Sequence, residues 1–240
     1  MGRVVSRTSE VFRANLVPFL LLGLAGAAPP AALTWVAHNN VDPDVERLLA
    51  LPIALVTALS GCAVHAVVIQ KSYQSFIGET ASFAETLGQA MASVFPLFLL
   101  SICLGFMTVL GSLLLLIPGL MLIARWSVAG PTLMVEQVGV FESMGRSAEL
   151  TRGRRWPVFG LLFAYALVVV VIELFVWAVT GASTGSFGAD TNSGPLATIG
   201  DFLVTAVTQP LSAAGATAIY LELRGPSQGA GSGELASIFD

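Results

Sequence analysis

Charged side chains are scarce in this sequence. They make up 11% of its 240 residues, whereas hydrophobic residues make up 55%. A soluble domain carries about 25% charged residues, so this chain has too few to cover a water-facing surface. The mean hydropathy of +0.81 agrees with this. The net charge of −4 argues against nucleic-acid binding, which calls for a basic protein. The composition therefore predicts an integral membrane protein.

The sequence also lacks the residue groupings that metal and catalytic sites use. Its two cysteines, Cys62 and Cys103, lie in apolar runs, where a thiol behaves as a small hydrophobe. A disulfide or a metal site is the less favoured alternative. No G-x-S-x-G, H-E-x-x-H or Walker A pattern occurs. We therefore expect no metal, no cofactor and no enzymatic activity.

Long apolar runs are what the sequence has in abundance. Because a helix needs about 20 mostly apolar residues to cross a bilayer, six spans are predicted. They cover residues 16–37, 48–69, 95–116, 120–135, 157–179 and 196–221. Pro118-Gly119 is typical of a turn and separates the third span from the fourth, with one long tilted helix as the alternative. The predicted fold is all-α, a polytopic membrane protein of six transmembrane helices arranged as three hairpins, each preceded by an amphipathic interfacial helix.

The first span has a second interpretation, as a cleaved signal peptide. Arg3, Arg7 and Arg13 would be its basic region, and residues 25–27 resemble a cleavage site. The apolar stretch continues well past that point, which favours a retained span.

Positive charge is distributed unevenly along the predicted spans. Nine basic residues fall on one side: Arg3, Arg7, Arg13, Lys71, Arg146, Arg152, Arg154, Arg155 and Arg224. The other side is acidic and has Arg47 as its basic residue. The positive-inside rule makes the basic side cytoplasmic. Both termini are then cytoplasmic, with residues 1–224 as one membrane domain and 225–240 as a short tail.

The densest basic cluster is RGRRW, at residues 152–156. Arg152, Arg154 and Arg155 mark the cytoplasmic end of the fifth span, and Trp156 suits headgroup depth. These residues, with Arg146, are also candidates for binding lipid headgroups. A role as an orientation signal alone is the simpler interpretation.

Three stretches of the sequence share one plan, which suggests repeats over residues 1–75, 80–137 and 139–223. Each has a short amphipathic helix, then a proline (Pro18, Pro96 or Pro157), then a span. Proline suits the first turn of a helix, where its missing N–H costs nothing. Amphipathic helices of this kind lie in the membrane interface. In the third stretch, Glu142 and Arg146 are spaced for an i,i+4 pair. The alternative is that any six-span protein with amphipathic connectors looks repetitive.

The same region carries a family resemblance. Its motifs are Ile117-Pro118-Gly119, Arg125-Trp126, Pro131, Glu136, Arg146-Ser147 and Gly153 to Trp156. Over residues 80–240 the chain resembles the membrane domain fused to some glycerophosphodiester phosphodiesterases, and the stand-alone YciC-type proteins of the bacterial inner membrane. The resemblance implies a helical protein of that membrane. It implies little about activity, because the role of that family is unsettled, and no phosphodiesterase domain is present.

Polar groups within the predicted spans are the candidates for function, since they are expensive in a bilayer. Arg125 and Glu173 fall at matching predicted depths, so an ion pair is expected, either as a helix lock or as a headgroup or ion site. His65 is expected to bond a backbone carbonyl, with a proton relay as the alternative. Gln209 precedes Pro210 in a predicted kink, which is alternatively a substrate-binding break.

Two functions follow from this sequence. The first is a non-enzymatic membrane protein that organises, regulates or handles lipids, with membrane lipids and an inner-membrane protein as partners. The second is a small transporter or permease for an anionic or amphipathic substrate. An enzyme, such as an intramembrane protease, is a remote third interpretation.

Overall fold

The structure, a computed structural model, describes residues 2–79, 81–114, 116–181 and 195–236. The described chain is helical apart from short connections and contains no strand. Ten helices follow in order: α1 (Gly2–Ala14), α2 (Leu16–Asn40), α3 (Pro43–Ile77), α4 (Phe83–Ala92), α5 (Val94–Leu114), α6 (Leu116–Trp126), α7 (Ala129–Val135), α8 (Val140–Leu150), α9 (Arg155–Gly181) and α10 (Pro195–Ala236). The predicted all-α fold class is confirmed.

Five of these helices are long and apolar enough to cross a membrane, namely α2, α3, α5, α9 and α10. They correspond to five of the six predicted spans. The predicted fourth span is not one continuous helix, because the chain leaves helical geometry after Trp126 and resumes it at Ala129. Pro131 lies in the first turn of α7 and has no N–H to donate to residue 127. The break therefore falls where proline permits it.

The turn before α6 also differs from its prediction. Pro118-Gly119 was expected to be the turn, but α6 begins two residues earlier, at Leu116, and Pro118 lies in its first turn. Gly119 serves close packing instead. A Cβ on Gly119 would lie 2.7 Å from the Cα of Ser112 in α5. Glycine is required because α5 and α6 form a tight antiparallel hairpin at this point.

Helix α3 is longer than the predicted second span. Gln70 and Lys71 were expected to end it, yet it continues to Ile77 and ends at Gly78, whose φ is +78°. The polar residues are tolerated because they have partners: the Lys71 ammonium donates to the carbonyl of Ala81 over 2.9 Å. Gln74 accepts a hydrogen bond from the Thr86 hydroxyl, and both side chains are buried.

The three predicted amphipathic segments are separate helices, α1, α4 and α8, and each is followed directly by a long helix. In α2, α5 and α9 the proline is the third residue, and the next residue donates its N–H to the residue just before the helix. That next residue is buried in all three cases: Phe19, Leu97 and Val158. The proline therefore fixes the same local geometry in three places.

All three amphipathic helices pack at one end of the bundle. Val11 of α1, Ala90 of α4 and Met144 of α8 belong to one buried cluster with Ile69 and Leu97. A second cluster joins Val4, near the start of the chain, to Tyr220 and Leu223 of α10. The beginning of the chain therefore packs beside Leu223, at the end where α10 carries Arg224.

Candidate functional site: a cavity inside the helical bundle

Five helices close a ring in the middle of the protein. Helix α3 packs against α10 and α5, α10 packs against α9, α9 against α6, and α6 against α5. A cavity of about 560 Å³ lies within this ring. Helix α7 lies at its end nearest the amphipathic helices, where Gly130 approaches Ile69 and Leu97. Pockets of 300–1,000 Å³ are typical of small-molecule sites.

The cavity is mostly apolar, with a few uncharged polar groups. Its polar lining consists of Thr57, Cys62, His65, Ser101, Ser127, Gln209 and Ser212. Among the described lining residues none is Arg, Lys, Asp or Glu. Thr57, Ser101 and Ile123 are exposed, so the cavity opens beside α3, α5 and α6. In a membrane that opening would face lipid.

His65 is held by two hydrogen bonds. Its Nδ1 lies 3.0 Å from the carbonyl oxygen of Gly61, one turn earlier on α3. Because a carbonyl only accepts, Nδ1 carries the proton in this bond. Its Nε2 faces the hydroxyl of Ser212 on α10 at 3.1 Å. The expected bond to a backbone carbonyl is present, and His65 also links two helices of the ring.

Gln209 also reaches the cavity from α10. Its side chain lies over Gly61, where a Cβ would be 3.4 Å from the Gln209 Nε2. The carboxamide forms no hydrogen bond with the described residues. Because the carboxamide lines the cavity, the cavity's contents must supply its hydrogen bonds, and leaving them unmade would be costly.

Pro210, the next residue, leaves the Ala206 carbonyl without its helical hydrogen bond, and α2 packs against that carbonyl. Proline has no N–H, so the carbonyl of Ala206 loses its helical partner. Gly23 of α2 packs directly against this carbonyl, and a Cβ there would lie 2.9 Å from its carbon. Helix α10 nevertheless continues through Pro210 to Ala236. The position therefore serves close packing of α2 against α10.

The predicted Arg125–Glu173 ion pair does not form. Ala124 and Val128, on either side of Arg125, belong to one buried cluster with Val158, near the start of α9. Glu173 lies fifteen residues further along α9, or ~22 Å at 1.5 Å per residue. Both side chains are exposed. Arg125 does not meet Glu173 because it lies next to the break after Trp126, and not near the outer end of an unbroken span.

Arg125 contributes its backbone instead. Its carbonyl, near the end of α6, accepts hydrogen bonds from Ser147 over 3.0 Å and Thr151 over 3.2 Å. Both donors are buried. The last carbonyls of a helix have no partner within the helix, so these bonds fasten α8 to the end of α6.

Glu136 is the centre of a network that the sequence did not indicate. It accepts from Arg146 Nε over 3.1 Å and from the buried Tyr220 hydroxyl over 3.0 Å. Arg224 donates to the same hydroxyl. Burial by itself lowers the pKa of the Arg146 guanidinium, but Glu136 and Glu149 outweigh it and hold that pKa above its ordinary value. Arg146 thus pairs with Glu136 and Glu149, and the expected pair with Glu142 is absent.

The remaining candidates for headgroup contact lie at the same end as α8. Arg152, Arg154 and Trp156 are exposed, and the ring of Trp156 packs edge-on against Phe159. Arg155 is half-buried, and its Nε has no hydrogen-bond partner among the described residues. These residues are separate from the cavity.

The sequence singled out His65 and Gln209 but not their neighbours in the site. Ser212 could have been predicted from the sequence, because it lies one turn after Gln209 on the same face of α10. Ser101 and Trp126 line the cavity because α5 and α6 pack against each other as a hairpin. Hydrophobic periodicity does not predict which helices pack together.

No family model, curated protein or solved structure matches the chain.

Proposed function

We propose that this chain is a non-enzymatic integral membrane protein that binds a lipid-like molecule in its central cavity and holds it for a partner in the same membrane. The observation behind this proposal is the cavity itself: about 560 Å³, ringed by five helices and open beside α3, α5 and α6. A ligand that enters from the bilayer is amphipathic or apolar. The resemblance to membrane domains fused to lipid-headgroup phosphodiesterases agrees with a role in handling lipids.

The proposal includes six membrane crossings, with α6 and α7 together making the fourth. Residues 116–135 would span ~30 Å as a nearly continuous helix, which is the thickness of the hydrocarbon core. The packing of Val4 beside Leu223 favours both termini on one side. Positive charge assigns this side to the cytoplasm, and we place the protein in the bacterial inner membrane.

Three related units would explain the arrangement of the helices. In each, an amphipathic helix leads into a proline-initiated span and then a returning segment: α1 with α2 and α3, α4 with α5 to α7, and α8 with α9 and α10. The amphipathic helices would lie at the cytoplasmic interface, where Arg152, Arg154 and Trp156 contact lipid headgroups.

A lipid co-purification experiment tests the cavity. Ala58 lines it, whereas Ala54 lies one turn earlier on α3, is exposed and does not line it. We expect Ala58→Leu to reduce the amount of the enriched lipid, measured by mass spectrometry, and Ala54→Leu to leave it unchanged. Equal lipid retention in both variants would overturn the proposal.

Transport is the second candidate function, because α7 lies at one end of the cavity and the cavity is open beside α3, α5 and α6. An anionic substrate fits poorly, since no cationic residue is among the described lining residues. Flux of an uncharged amphipathic solute into proteoliposomes, lost with Ala58→Leu and kept with Ala54→Leu, would favour transport over binding alone.

A further inference from the structure

We infer that the cavity binds an uncharged lipid whose polar end carries a hydroxyl or ester group, and that Gln209 is the residue that binds this end. The inference rests on the proposed function, since it names the ligand class for the same cavity. Charge, hydrogen bonding and dimensions each contribute to it.

Charge excludes the common ionic lipids from this site. The described lining offers neither a cation for a phosphate nor an anion for an ammonium group. A charged headgroup inside the ring would lose its hydration without gaining a counter-ion, which is costly in a bilayer. An uncharged polar end avoids that cost.

Hydrogen bonding points to Gln209 among the polar lining residues. The hydroxyls of Thr57 and Ser101 donate to carbonyls on their own helices, and the Ser127 hydroxyl, just after α6, donates to the Ala124 carbonyl of that helix. The Ser212 hydroxyl lies 2.8 Å from the carbonyl of Gln209 and also contacts His65. These hydroxyls already form hydrogen bonds within the protein. The Gln209 carboxamide is therefore the described lining group whose donors and acceptor are available to a ligand.

The chemistry of a carboxamide defines the matching group. It offers two N–H donors and one carbonyl acceptor. A hydroxyl can accept one N–H and donate to the carbonyl, and an ester carbonyl can accept from the same nitrogen. Both are neutral, so both agree with the uncharged lining.

The rest of the cavity suits an apolar chain. On α3 the lining runs from Thr57 to Ile69, which is ~18 Å of helix axis. Towards α7 the lining includes Ile69 and Leu97, which are buried and apolar, as is Leu100. Gln209 lies over Gly61, about two turns of α3 before Ile69, so an acyl chain along these residues would place its polar end near Gln209.

Fluorescence quenching can test this ligand class because Trp126 lines the cavity. Trp35→Phe, Trp156→Phe and Trp177→Phe together leave Trp126 as the sole tryptophan. The protein is titrated with a 1-monoacylglycerol whose chain is brominated, and in parallel with a lysophosphatidylglycerol that has the same chain. Bromine quenches tryptophan only at close range, so saturable quenching reports occupancy.

We expect the neutral lipid to bind about tenfold more tightly than the charged one. Gln209→Leu, similar in volume but without polar atoms, should weaken the neutral lipid by about tenfold. Thr205→Val on the same helix, outside the lining, is the matched control and should leave affinity unchanged. Thermal unfolding checks the variants, and Gln209→Leu should not lower Tm because its carboxamide has no described partner.

Two results would overturn the inference in distinguishable ways. If Gln209→Leu binds the neutral lipid as tightly as the parent, Gln209 does not bind its polar end; if the charged lipid binds equally well, the ligand class is wrong. In that case Ala58→Leu would still reduce lipid retention and the proposed function would stand. If neither lipid quenches Trp126 saturably and Ala58→Leu retains as much lipid as Ala54→Leu, both the inference and the proposed function fail.

Discussion

Single residues in this protein often have a role that their type alone does not indicate. Arg125 looks like an intramembrane charge, but what the structure uses is its backbone carbonyl. Gly23 looks like one of many small residues, yet it covers the carbonyl that Pro210 frees. His65 was correctly expected to bond a carbonyl because its i−4 neighbour is fixed by helix geometry. Its contact with Ser212, 147 residues away, required the packed bundle.

Gly23→Ala should destabilise the protein. The added methyl would overlap the carbonyl of Ala206, and overpacking of this kind typically costs about 1–3 kcal/mol. Gly105→Ala is the control, since nothing lies within 4 Å of its Cβ position. There the gain in helix propensity should leave stability equal or slightly higher. Thermal unfolding in detergent measures both, and an unchanged Tm for Gly23→Ala would contradict the packing described here.

Tyr220→Phe should also destabilise the protein. It removes a hydrogen bond from a fully buried hydroxyl to the Glu136 carboxylate, and bonds to charged groups contribute about 1.5–3 kcal/mol. Tyr73→Phe is the control, since no hydrogen bond from its hydroxyl occurs among the described residues. Chemical denaturation compares the two. If the cost persists when Glu136→Ala is already present, the hydroxyl acts through another group.

At the scale of helices, the sequence predicted which segments are helical better than where they end. The amphipathic helices α1, α4 and α8 follow from periodicity, and the prolines fix the starts of α2, α5 and α9. The end of α3 was misplaced because Gln70 and Lys71 were interpreted as a polar stop. They are compatible with a helix because α4 and its connection supply partners, and that is a tertiary contact.

Helix α8 should loosen when Ser147 is changed to Ala. The substitution removes a buried donor to the Arg125 carbonyl. Because Thr151 still donates to that carbonyl, the loss is one net hydrogen bond, about 0.5–1.5 kcal/mol. Hydrogen exchange of residues 140–150 should speed up relative to the parent. Ser9→Ala in α1 is the matched control, because that hydroxyl is exposed and bonds only within its own helix. Unchanged exchange in α8 would mean that Thr151 alone fastens it.

For the whole molecule, the main question is whether α6 and α7 complete a crossing. Five helices are long and apolar enough to be spans. Whether α6 and α7, which lie between α5 and α8, also cross determines the side of the membrane on which α8 lies. Amphipathic helices α1, α4 and α8 share buried contacts at one end. These contacts favour α8 on the same face of the membrane as α1 and α4, and therefore favour a crossing by α6 and α7.

Cysteine labelling should place residues 42 and 152 on opposite sides of the membrane. In a background with Cys62→Ala and Cys103→Ala, Asp42→Cys should react with an impermeant thiol reagent in intact spheroplasts. Arg152→Cys should react only after permeabilisation. Labelling of both positions from outside would mean that α6 and α7 do not cross, and the six-span arrangement would be wrong.

The sequence by itself determined the membrane class, the helical fold and the unequal distribution of basic residues. These properties depend on composition, on periods of a few residues and on the fixed geometry of proline, all of which are local. The tertiary structure decided that Arg125 and Glu173 lie far apart, that Glu136 gathers Arg146 and Tyr220, and that five helices enclose a cavity lined by Gln209. Those outcomes depend on which helices become neighbours and at what depth. Packing between distant segments sets both, and a linear pattern of apolar residues does not encode them.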